Sequence, residues 1–217
     1  NADGSDAAAE YIASLEPGSC KPLEKFMAEE ARQYGLPLRE PFTFVLAPAV
    51  KGLPPEQPQN GSMLQTALWT LRMRYWAWQN NTCTAPVHDV SLYILYYDPR
   101  NHSVLGHSVG LQKGLIGIIK AYADEKMEAG NNIIIAHELL HLVGARDKYN
   151  PVSDQPLYPD GYADPDRQPL LPQGQAEIMA CTIPISATAS RMPDTLYDTV
   201  IGPKTAREIN WVLEKEH

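Results

Sequence analysis

The chain has 217 residues, with 18 Lys and Arg against 26 Asp and Glu, a formal net charge of −8. That length allows one domain or at most two, and buries roughly 70% of the unfolded surface, enough to stabilise a core without a disulfide framework. The acidic balance argues against a nucleic-acid backbone as partner, and no apolar run approaches the roughly 20 residues of a membrane span.

Ser5 to Leu15 reads as a short helix, capped by Ser5 or Asp6 and stopped by Pro17-Gly18. Leu23 to Tyr34 reads as a second, ended by Gly35, and Phe42 to Leu46 as a strand. Lys51 to Ser62, with three prolines and two glycines, is a loop. Ser62 is placed to cap a long helix to about Gln79, whose Leu64, Leu68, Leu71, Tyr75 and Trp78 recur at three- and four-residue intervals, as a core-facing stripe would. Val90 to Tyr97 and Leu115 to Tyr122 are strands, with one or two short strands between Ser103 and Gln112. Asn131 or Asn132 is expected to cap a helix from Ile133 to Val143 that is apolar nearly all round and so buried. Asn150 to Gln175, with six prolines and four aspartates, is one long irregular loop. A last helix starts near Pro203 and places Ala206, Ile209 and Leu213 on one face. The order predicts a mixed α/β (α+β) domain on a sheet of four or five strands.

The three cysteines, Cys20, Cys83 and Cys181, leave at least one thiol free or paired between chains; a Cys20–Cys83 bridge and three free thiols are both open. The chain begins at Asn1 rather than Met, which reads as processing or trimming, and N-x-S/T sequons stand at Asn60, Asn80 and Asn101. An extracytoplasmic location is the expectation; the sequence does not give the oligomeric state.

Chemistry concentrates in His137-Glu138-Leu139-Leu140-His141, within the apolar helix. At about 100° per residue, His141 lies about 40° around the axis from His137 and one turn along it, with Glu138 on the same side. Two imidazoles so placed suit one divalent ion, with a carboxylate beside them to work on a water. Random placement of 6 His and 14 Glu gives any such pattern about one chance in a hundred. Two histidines and a glutamate inside an apolar helix would also be costly without a shared partner. A catalytic zinc takes a third protein ligand. Asp147 would lie about 9 Å beyond His141 if the helix continued, but Gly144 is free to adopt a positive φ, end it and turn the chain back.

HELLHLVGARD resembles the extended zinc motif of the metzincin metallopeptidases in the form whose last ligand is Asp. Ala176-Glu177-Ile178-Met179-Ala180 is similar to their downstream Met-turn, with Met179 as the methionine, although Cys181 stands where several metzincin families have Tyr. The resemblance implies a twisted mixed sheet with a long backing helix and an active-site helix, in one domain over 1–217. Its N-terminal subdomain would span 1–144; its C-terminal subdomain, 145–217, would hold the long loop, the Met-turn and the final helix. It also implies one catalytic Zn²⁺ on His137, His141 and Asp147, with Glu138 as general base in peptide-bond hydrolysis and a peptide or protein as substrate. A non-catalytic metal-binding or scaffold module on the same fold is the alternative.

Lesser candidates are Tyr149, Tyr158 and Tyr162 as oxyanion donors, Tyr149 first. An edge strand between Ser103 and Gln112 could pair with a substrate backbone, by analogy with metzincins. Glu177 is an alternative third ligand that would displace the Met-turn reading. Asp154, Asp160, Asp164 and Asp166 are a weak Ca²⁺ candidate that matches no EF-hand spacing. His88, His102 and His107 are solvated by default, and a second Glu-x-x-His, Glu214 to His217, lies at the frayed C-terminus.

Overall fold

The computed structural model describes residues 1–58, 61–83, 89–106 and 108–212. Asn60, His88, His107, Leu213, Glu214 and His217 therefore lie outside the described residues. The described residues form two compact units, one within 1–17 and 45–125, the other within 18–44 and 126–217.

In the first unit, α1 (Asp6–Ser14) is capped by Ser5, whose hydroxyl accepts from the Ala8 N–H. α3 (Met63–Gln79) begins with a reciprocal capping box, Ser62 accepting from Gln65 N–H and the Gln65 side chain accepting from Ser62 N–H. Between α1 and α3 in sequence comes α2 (Lys21–Gln33), which belongs to the second unit. The strands are β1 (Ser91–Tyr97), β2 (Val109–Leu111) and β3 (Ile116–Tyr122). They order as β1-β3-β2, with β1 and β3 parallel and β2 antiparallel at the edge. Side chains alternate across the sheet. Ile116 and Ile118, with Tyr93 and Leu95, meet Trp69, Met73 and Ala77 of α3; Ala121, Ala123, Ile94 and Tyr96 meet Ala8 and its neighbours on α1.

Three expectations change here. Among the described residues the largest sheet has three strands, with two further two-stranded pairs, not one sheet of four or five. The buried face of α3 is not the expected one either: Leu64, Leu68, Leu71, Tyr75 and Trp78 are exposed. α3 is apolar around much of its circumference, so periodicity offers two faces. The one carrying Trp69 is secured by its indole N–H on the Pro55 carbonyl (2.9 Å) and by Trp76 edge-on to Tyr93. Phe42–Leu46 is not a strand; the Phe44 N–H is bound by the Glu24 carboxylate (2.8 Å), and Pro41 and Pro48 bracket the segment.

The second unit is built on α2 and α4 (Glu128–Leu142), which pack together. α4 starts five residues before Ile133, without the expected Asn cap. A 3₁₀ turn, Glu125–Met127, feeds directly into it, and Asn131 and Asn132 are buried within the helix. Residues 150–175 contain no helix or strand; isolated bridges tie Pro156 to Tyr149 and Tyr162 to Ala176, just outside the segment's two ends. Short pieces follow: β4 (Ala176–Glu177), the 3₁₀ turn Ile178–Ala180, β5 (Ile183–Pro184), β6 (Ser190–Arg191) and β7 (Thr199–Val200). α5 (Pro203–Glu208) closes the unit, with Ala206 buried on it and Ile209 buried just beyond its end. All three cysteines are free thiols. No helix among the described residues is long and apolar enough to cross a membrane.

Candidate metal centre

His137 and His141 lie on α4 one turn apart, their rings 4.6 Å between centroids and nearly perpendicular. His137 is buried and His141 half-buried. α4 then stops in a Schellman motif, Gly144 N–H donating to His141 O (3.2 Å) and Ala145 N–H to Leu140 O (2.9 Å). Gly144 has φ +121, and a β-carbon built on it would lie 2.8 Å from the Glu208 carbonyl oxygen. Only glycine fits both constraints. The reversal brings Asp147 back, its Oδ1 3.4 Å from His137 Nε2 and 3.0 Å from His141 Nε2.

Both imidazoles are oriented from behind. His137 Nδ1 is 3.0 Å from Ile178 O, and His141 Nδ1 is 2.9 Å from Ala145 O. A carbonyl only accepts, so each Nδ1 is placed to donate to it, and the Nε2 edge of each ring is turned to Asp147. The donor atoms of His137, His141 and Asp147 lie within 4.8 Å of one another, the only group of three or more potential ligands among the described residues. A tetrahedral zinc with bonds near 2.0–2.2 Å needs donors about 3.3 Å apart, and the two Nε2–Oδ1 separations straddle that value. The residues fit a zinc ion.

The electrostatics agree. Burial alone would push the Asp147 carboxyl up, but hydrogen bonds from His137 and His141 hold it well below the usual carboxylate range. Burial opposes a charge on His137, yet Asp147, Cys181 and Ile178 O raise it well above the ordinary imidazole value. The pocket favours positive charge at this point, which a cation would supply in place of protons.

Met179 is fully buried in the turn Ile178–Ala180, which Cys181 closes with φ 64. The Ile178 carbonyl that orients His137 belongs to this turn, so Met179 and the first histidine share one scaffold. The Cys181 thiol lies 3.6 Å from His137 Nδ1, behind the ligating edge of the ring. Glu177 is not a third ligand: Oε2 accepts from Met179 N–H (2.7 Å), and Oε1 from Gly202 N–H (3.1 Å) and the Thr205 hydroxyl (2.5 Å). It fixes the turn instead.

Glu138 is half-buried next to the histidines. Tyr149 is also half-buried; burial first, then the charges of Asp147, Cys181, Asp154 and Glu138, push its phenol up to about 12. It is thus a protonated donor within electrostatic reach of Asp147 and Glu138. Tyr158 and Tyr162 stack edge-to-face on each other in the long loop. Asp154, Asp160, Asp164 and Asp166 form no group of potential ligands. Gln173 organises the middle of this loop, exchanging hydrogen bonds with both backbone groups of Asp164. His102, expected to be solvated, is half-buried, with its ring against Tyr97 and Nε2 3.7 Å from Asp3.

Sequence reasoning missed Lys148 and Glu208. Lys148 is buried, and its ammonium meets the Glu208 carboxylate at 2.8 Å beside the ligand loop. No spacing rule links residues 60 apart.

No family model, curated protein or solved structure matches the chain.

Proposed function

We propose that the chain is a zinc-dependent endopeptidase of the metzincin type. The observation that carries the reading is the convergence of two Nε2 atoms and one carboxylate oxygen, each imidazole tied behind to a backbone carbonyl.

His137, His141 and Asp147 would hold the ion. Zinc bound there supplies Lewis acidity and lowers the pKa of water from 15.7 toward about 7. Asp147 brings one negative charge, so the loaded site carries a net +1 rather than the +2 of three neutral histidines. The Glu138 carboxylate follows the first ligand in sequence and is not itself one of the three. It accepts the proton of the attacking water and returns it to the leaving amine nitrogen. The Tyr149 phenol, protonated throughout the neutral range, is suited to donate to the carbonyl oxygen as negative charge develops there. Asp147 is the most exposed of the three ligands, which leaves the site open to a peptide on that side.

The test is hydrolysis of a peptide library by the zinc-loaded chain, repeated after chelation and in Glu138→Gln. Activity should fall with the chelator and by about 10²–10⁴-fold in the variant, with zinc content unchanged. Zinc binding without hydrolysis by wild type would turn the reading to a metal-binding module; full activity in Glu138→Gln would remove the general base.

A further inference from the structure

We propose that the ion pair between buried Lys148 and half-buried Glu208 is a positioning device for Asp147, acting from the far end of α5. The inference rests on the metal-centre reading and adds to it two residues that touch no ion.

Asp147 presents a problem of placement. Its side chain is 44% exposed, so packing does not hold it. Its position must come from the backbone, and that backbone is tethered on both sides. Glu208 Oε2 accepts from the Arg146 N–H (3.0 Å) and from the Lys148 ammonium (2.8 Å). The same ammonium donates to the Arg146 carbonyl (2.9 Å). One ion pair therefore holds both polar groups of the residue before Asp147. After Asp147, the Lys148 N–H donates to Met179 O (2.9 Å), joining the loop to the turn that orients His137. The Glu208 carbonyl also abuts Gly144, where the reversal begins. Residues 144, 146 and 148 thus all meet Glu208, and 147 lies between them.

Stability is a poor reason to bury the Lys148 ammonium in such a pair, since desolvation offsets most of the attraction and apolar replacements are often as stable. Precision at a ligand is a better one: groups that orient ligands typically change metal affinity 10–100-fold when removed.

The experiment measures zinc affinity by chelator competition and the visible absorption of the cobalt(II) form, in the full chain, at denaturant-free conditions where urea titration has established folding. Glu208→Ala should weaken zinc binding by about 10–100-fold and lower the cobalt absorption. Glu208→Gln, whose amide oxygen still accepts from both donors, should recover most of both. The double variant Lys148→Met/Glu208→Leu keeps apolar bulk and decides the matter if the alanine variant does not fold; it should show the same loss. Wild-type affinity and cobalt spectrum in Glu208→Ala or the double variant would overturn the positioning role. Wild type that binds no zinc, or Asp147→Ala that binds as well as wild type, would instead overturn the metal centre and this inference with it.

Discussion

Gly144→Ala is the sharpest single perturbation of the geometry that brings Asp147 to the histidines. Two penalties add. At φ +121 a side chain occupies backbone space that only glycine uses readily, a strain of about 1–3 kcal/mol. The new methyl also lies 2.8 Å from the Glu208 carbonyl oxygen, a backbone atom with no flexible side chain to yield. A backbone shift to relieve that contact adds about 1–3 kcal/mol, giving roughly 2–6 kcal/mol in all. Two controls in the same unit separate the terms. Gly35 has φ +70 and open space around it, so Gly35→Ala should cost only the conformational part, about 1–2 kcal/mol. Gly18 lacks a positive φ and has nothing within 4 Å, so Gly18→Ala should be neutral or slightly stabilising. Calorimetry and urea titration of the three variants should rank them Gly18, Gly35, Gly144 in increasing loss. Zinc affinity should fall in Gly144→Ala alone, because only there does the strained segment carry a ligand. A Gly144→Ala loss no larger than that of Gly35→Ala would refute the steric argument and with it the close approach of α5 to the ligand loop.

Burial, the charges of Glu29 and Glu177 aiding, lifts the Glu30 carboxyl from 4.5 to about 7 despite hydrogen bonds from Ile201 and Gln33. A raised carboxyl stabilises the folded state fully below pH 4.5, and that contribution is lost as pH rises through about 7. Glu30→Gln should flatten this decline, by about 3 kcal/mol at most, in urea midpoints from pH 4.5 to 8; an unchanged slope would disprove the assignment. On α3, Met73→Ala should cost about 2–5 kcal/mol, because Met73 is fully buried. Leu71→Gln, at a position 64% exposed, should stay within about 0.5 kcal/mol by the same measurement, and the reverse order would restore the face expected from periodicity. Free zinc at a hundred times its Kd should raise unfolding stability by about 2.7 kcal/mol, an increment that chelator and Asp147→Ala both abolish. Equal stabilisation of Asp147→Ala would move the third ligand elsewhere.

How far the sequence reaches depends on the range of the interaction that decides each feature. The candidate metal ligands are written within eleven residues, because a helix puts His137 and His141 on one side and a glycine sets the reversal; both are local rules, and the structure brings all three side chains together. The caps at Ser5 and Ser62 are local too, and each hydroxyl accepts the hydrogen bond its position implies. The buried face of α3 is not local. Leu64 to Trp78 form the more regular stripe, yet Trp69, Met73 and Ala77 are buried, since the choice lies with what Tyr93, Ile116 and Ile118 present across the sheet. Asn131 and Asn132 look like caps in sequence but sit inside α4, because a preceding 3₁₀ turn moves its start upstream. The deepest layer is the least legible. Ile178 O, Ala145 O and the Lys148–Glu208 pair act through atoms that no motif records, two of them backbone oxygens and one a carboxylate 60 residues away. A motif therefore identifies which side chains meet an ion, whereas the groups that aim them are chosen by tertiary packing. In this chain the aiming groups converge on one loop, residues 144–148, which is why a change at Glu208, far along the sequence, should register first in metal affinity rather than in stability.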